Sequence, residues 1–138
     1  AGSTAAEKMR LESNGNLGIG VANPSVQLHI AKSSIADIGT LTSATSITPD
    51  FAVNQNFTVT LAHNAALENP SNVVAGQTGS VFVVQDGTGS RTMSYGTYWD
   101  FIGGTAPTLT TAAAAIDRID YIVQDATNIQ AIASLAYS

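Results

Sequence analysis

The sequence contains no cysteine, which removes disulfides, thiolate nucleophiles and Cys-based zinc sites together. Basic residues are nearly as scarce. Lys8, Arg10, Lys32, Arg91 and Arg118 are the only five, they do not cluster, and the formal net charge is −5. Phosphate backbones are bound by grouped Lys and Arg, so nucleic acid and anionic membrane surfaces are excluded as partners. No apolar run approaches the roughly 20 residues of a spanning helix, so no membrane insertion is expected. The chain opens AGST without a signal-peptide pattern, as expected of a fragment or a processed product. Charged residues make up 11% and hydrophobic ones 44%, too apolar a balance for a disordered chain. Leu, Lys and Glu are too few for a typical helical protein.

What the 138 residues do contain is Thr, Val and Ile beside Gly and Asn, the composition of short strands and many turns. In EKMRLE, Met9 and Leu11 alternate with charged residues, the period of a half-buried strand. SNGN follows, and Asn14-Gly15 predicts a tight hairpin with both residues central. Leu17, Ile19 and Val21 then share one face while Gly18 and Gly20 share the other, a pattern that predicts close approach of another backbone. After the turn signal Ala22-Asn23-Pro24-Ser25, Val26, Leu28 and Ile30 alternate again. This unit, residues 7–30, holds too little apolar volume to be stable alone. Residues 31–40 read as a joint with Gly39 as hinge, which places an arm at 1–40 and a main domain at 41–138.

In the main domain, LTSATSITPDFAV predicts two short strands around Thr48-Pro49-Asp50, and Phe57, Val59 and Leu61 alternate in NFTVTL. SVFVVQ is apolar on both faces, as in a central strand buried on each side. RTMSY is a further strand. From pattern alone the C-terminal stretch fits a helix or two strands, with Asp125 to Asn128 as a natural hairpin loop. Turns about every 8 to 12 residues predict an all-β fold, a β-sandwich or jelly roll. No sequence repeat marks a solenoid.

EKMRLESNGNLGIGVANPSVQLHI resembles a segment of the form xRMRIxSxGNVGIGTxxPxxxLHV that recurs in bacteriophage tail fibres and related virion proteins. FTVTLAHNAALENPSN, AGQTGSVFVVQDGTGSRTMSYGTYW, GGTAPTLTTAA and IVQDATNIQAIASLAY resemble a C-terminal module of phage tail-fibre or phage structural proteins. The resemblance implies a virion fibre or spike component, a homotrimer built with other virion proteins, whose arm trimerises and whose head faces the environment. A host cell-surface glycan or protein is the further partner this implies. It also tips the C-terminal stretch towards strands. On this reading Leu17, Gly18, Ile19, Gly20, Val26 and Leu28 are the subunit contacts, the glycines facing the crowded threefold region. The runner-up is a capsid-attached head fibre, decoration or collar protein with a purely structural role. A third class, a carbohydrate-binding module of an enzyme, rests on the aromatic cluster alone.

That cluster, SYGTYWDF, offers Tyr95, Tyr98 and Trp99 as receptor contacts, since exposed Tyr and Trp stack on sugars and anchor interfaces. The plainer assignment, favoured for Trp99 and Phe101, is core. Asp86 and Arg91 are the second choice, although Asp86 in a Gly-rich loop commonly bonds its own backbone. One carboxylate there cannot supply the six to eight oxygens of a calcium site. His29 and His63 are isolated, and neither has a second His two positions away, so no metal site is expected. No carboxylate pair, Gly-x-Ser-x-Gly elbow or phosphate loop is present. No enzyme activity and no cofactor are expected.

Overall fold

The computed structural model describes residues 8–137; residues 1–7 and 138, and with them Glu7 at the expected start of the first strand, lie outside the described residues. The protein is all-β, and the chain forms two compact units, Ala1–Ile35 and Ala36–Ser138.

In the first unit, β1 (Met9–Leu11), β2 (Leu17–Ile19) and β3 (Leu28–Ile30) form a three-stranded sheet in that order. β1 pairs antiparallel with β2, and β2 parallel with β3. The connecting turn differs from the expected one. The Gly15 N–H donates to the Glu12 carbonyl at 2.9 Å, so Ser13 and Asn14 are the central residues, and Gly15 follows in the left-handed region with φ 87°. Asn14 has negative φ, and its Oδ1 accepts the Asn16 N–H at 2.9 Å. This is a type I turn closed by a glycine bulge, and only Gly15 needs left-handed freedom.

The second unit begins with β4 (Ile38–Thr40), β5 (Ser46–Ile47), β6 (Asn56–Leu61), β7 (Ala65–Leu67), β8 (Thr78–Gln85), β9 (Met93–Tyr95) and β10 (Trp99–Phe101). It ends with β11 (Ile116–Asp125) and β12 (Asn128–Tyr137), paired antiparallel across the predicted Asp125–Asn128 turn. One sheet has the order β10-β12-β11-β8-β6-β4, the other β5-β7-β9. From β4 to β10 the chain passes from one sheet to the other at every step, so β4, β6 and β8 pair parallel, as do β5, β7 and β9. The expected sandwich-like layering is present, but its connections are those of a short parallel coil and not the antiparallel Greek keys of a jelly roll. Ile38, Asn56 and Ser80 stand in one row and Ser46, Ala66 and Ser94 in another. These rows are unevenly spaced along the chain, which is why no sequence repeat exists.

Parallel winding stacks like side chains into one core. Phe57 sits beside Val81, Val59 beside Val83, and Ile47 beside Leu67, all of them buried. Phe51 fills the middle: its ring stacks on Tyr121 at 4.7 Å and on Phe57 at 5.9 Å, while Trp99 meets Phe51 and Tyr121 edge-on. Phe51 lies in a turn and not in the second strand predicted for LTSATSITPDFAV. SVFVVQ is central as expected, but only Val81, Val83 and Gln85 are buried, while Phe82 and Val84 are half-buried on the outer face. The division between units falls at Ile35/Ala36, earlier than the expected 40/41, because Ile38–Thr40 is an edge strand of the main sheet, with Gly39 paired to Phe57.

Candidate functional site

Two surfaces carry the residues singled out above, one in each unit. In the first unit, directly opposed residues share a face of the sheet. Leu11, Leu17 and Leu28 form one row, and Met9, Ile19 and Ile30 the next. These six side chains make one apolar face, and the described residues of the first unit leave much of it open: Leu11 is 74% exposed, Met9 68%, Leu28 55%. Of the predicted subunit contacts, Leu17, Ile19 and Leu28 lie on this face. Met9, Leu11 and Ile30 belong with them; their alternation signalled it, but they were not selected.

The two glycines have other reasons. A Cβ on Gly18 would lie 2.5 Å from the Val21 carbonyl oxygen and 3.1 Å from its Cγ1, so it is the chain's own turn that approaches here. Gly20 needs its φ of 71° and is exposed. Neither requires a sister chain. Val26 is exposed in the loop before β3 and lies outside the sheet face. His29 pairs with Gly18, and its Nδ1 is 3.4 Å from the Ser25 backbone nitrogen, closing the same turn.

In the second unit, Trp99 is buried at 6% exposure, and its Nε1–H donates to the Glu68 carbonyl at 3.0 Å. As a receptor contact it is corrected to core: the indole packs inside an aromatic cluster with its donor satisfied, and only a small part of it is left at the surface. Tyr98 is half-buried, its N–H held by Asn69 Oδ1 and its carbonyl by the Ile129 N–H. Tyr95 packs edge-on against Phe101 at 4.7 Å, and its hydroxyl is shut away from solvent without a hydrogen-bond partner. Desolvation, and secondarily the charge of Asp117, push that hydroxyl's pKa up.

The 86–91 loop is tied down by its own residues. Asp86 accepts the N–H groups of Thr88 and Gly89 and both Nε and Nη2 of Arg91, the latter at 2.7 Å. Buried Gln85 acts as a backbone substitute, donating to the Arg91 carbonyl at 2.8 Å and accepting its N–H at 2.9 Å. Ser90 N–H donates to the Thr111 carbonyl. The Arg91 guanidinium foremost, then the loop N–H groups, hold the Asp86 carboxyl below the usual range. Asn72 does the same for Asp50, and the Thr127 N–H and Asn128 for Asp125. A carboxyl with a depressed folded pKa stabilises the fold above its unfolded value, about 3.9, and that contribution is lost as pH falls through the folded value. Thermal melts across pH should therefore run level near neutrality and fall below about pH 4. Asp86→Asn should melt lower at pH 7, with the gap to the parent closing in acid. A gap independent of pH would contradict this account.

Between the outer edge of β9 and the 106–109 segment lies a cleft of about 630 Å³, floored by Tyr95, Trp99 and Phe101. Its size is that of a ligand site. Sequence reasoning found the floor but not the cleft, because its second wall comes from a remote loop. Buried Asp117, at 2% exposure, was also missed as a structural residue. Its two oxygens accept the N–H groups of Thr110 at 2.7 Å and Ala136 at 2.8 Å, so it fixes the loop behind that wall. Among the described residues no group of three or more His, Asp or Glu is placed to hold a metal, and no helix is long and apolar enough to cross a membrane. Comparison with family models, curated proteins and solved structures finds no match.

Proposed function

We propose that this chain is a non-enzymatic structural component of a phage virion fibre or spike, homotrimeric through its first unit and displaying its second for host-surface attachment. The observation that carries the reading is the apolar face of Met9, Leu11, Leu17, Ile19, Leu28 and Ile30, of which Met9, Leu11, Ile19 and Leu28 are exposed and the other two half-buried. A sheet of this size has no core of its own and needs association to be stable. The motif resemblance supplies the number three and the virion setting. Threefold repetition then lets weak contacts add through effective concentration.

The alternative, a head-fibre, decoration or collar protein without a receptor, is favoured by one observation. Trp99 is core and the Asp86–Arg91 loop is bonded to itself, which leaves fewer side chains free for a host receptor. Adsorption separates the two. Purified trimer added in excess should reduce phage adsorption to host cells if it carries the attachment surface. Unchanged adsorption would transfer the chain to the purely structural role.

A further inference from the structure

Every residue from Thr92 to Gly96 lines the cleft beside β9. A strand presents alternate residues to each face, so a cavity lined by consecutive ones runs along the strand's edge. The hydrogen bonds agree. The Thr92 carbonyl accepts the Ala65 N–H at 3.0 Å, and the Gly96 N–H donates to the Leu67 carbonyl at 2.8 Å. In a parallel ladder alternate residues direct their polar groups to the same neighbour, so Thr92, Ser94 and Gly96 serve β7. The N–H and C=O groups of Met93 and Tyr95 are left for the other side. β9 is the last strand of its sheet, so that side is the cleft. The opposite wall, Ala106 to Leu109, lies outside any strand.

Strand rise, strand spacing and sheet spacing give one strand residue a volume of roughly 160 Å³. The cleft of about 630 Å³ therefore holds about four such residues, the length that the exposed edge of β9 can pair. We infer that this cleft is a strand-addition site, taking a short extended peptide from another polypeptide and hydrogen-bonding it to the free backbone groups of Met93 and Tyr95. Strand addition draws affinity from the main chain and specificity from alternate side chains. Here those facing inward meet the Tyr95–Phe101 ring pair, which selects an apolar side chain. Arg91, at the end of the cleft, is already held by Asp86, so an acidic peptide gains nothing there. The site is complete within one chain and stands independently of the fibre reading.

The test uses the full chain and a blocked peptide, acetyl-Thr-Val-Thr-Val-Thr-amide, with a panel of neutral monosaccharides in parallel. Trp99, the only tryptophan, lines the cleft and reports occupancy by its fluorescence. The peptide should give a saturable change, and the amide protons of Met93 and Tyr95 should shift and become protected from exchange. N-methylating the peptide's alternate amides, which removes donors to one edge, should weaken binding about tenfold. Met93→Pro, which deletes one N–H from a free edge where proline is tolerated, should do the same, with a melting temperature lowered by the loss of a half-buried side chain that packs against the core. If that variant misfolds, the methylated peptide on the unaltered chain still decides. No response to the peptide, equal binding of the methylated peptide, or saturation by a sugar but not by the peptide would each overturn the assignment.

Discussion

Asp117→Ala should cost the second unit about 3 kcal/mol, and more than ~10 °C in melting temperature, the largest loss expected of any single polar substitution in this fold. The reason is local. The ladder between β11 and β12 slips between Ile116↔Tyr137 and Arg118↔Ser134. Ala136 sits in this irregularity with φ 63°, a conformation that takes its N–H out of the regular pairing. Asp117 Oδ1 receives that N–H, while Oδ2 receives that of Thr110. Removing the carboxylate abolishes two hydrogen bonds to a charged acceptor, from the N–H groups of half-buried Thr110 and exposed Ala136, each worth about 1.5–3 kcal/mol. Asp117→Asn should recover only part of the loss, since its amide nitrogen would face one of the two N–H groups. Chemical denaturation of both variants measures this. A loss below about 1 kcal/mol for Asp117→Ala would mean that water reaches the two donors and that Asp117 is not the tie described.

The second large effect belongs to the first unit. Ile19→Asp should turn the proposed trimer into monomers, raising its dissociation constant more than ~100-fold. Ile19 is central in its row, between Met9 on β1 and Ile30 on β3. Burying a side chain of this kind stabilises by about 1.5–3 kcal/mol, and the substitution removes that from every copy while adding a carboxylate to desolvate. Ile19→Val, which keeps the face apolar, should still assemble. The second unit should melt as before, because its core, from Ile47 to Ala131, is built entirely of its own residues. Gly18→Ala is a different case: it should disturb the turn at Val21 within one chain, whatever the assembly state.

The longer strands were legible where alternation is regular, although at the C-terminus pattern alone also allowed a helix, and Ala65–Leu67 and Trp99–Phe101 were not read as strands. Phe57, Val59 and Leu61, and likewise Ile119, Tyr121 and Val123, alternate and are buried as alternation requires. The same pattern carried the missed residues: Asp117 precedes Ile119 on the inward face, and Gln85 continues Val81 and Val83. Read strictly, alternation places both in the core and demands partners for them. The winding was not legible, because parallel pairing joins residues far apart in sequence through loops of unlike length, and nothing local records it. Nor was the fate of the aromatic cluster. The sequence places Trp99, Tyr95 and Phe101 together, but only the packing of Phe51 and Tyr121 against Trp99 shows that it is core as well as cleft floor. For the glycines, the pattern correctly announced a close approach at Gly18 and left open which backbone makes it.

The central claim is that the apolar face of the first sheet is an intersubunit surface. Sedimentation equilibrium of the full chain over a range of concentrations tests it most directly. The account predicts a mass three times the chain's 14.2 kDa that resists dilution. A stable monomer would contradict it, leaving six apolar side chains without a reason and the fibre reading without its mechanism.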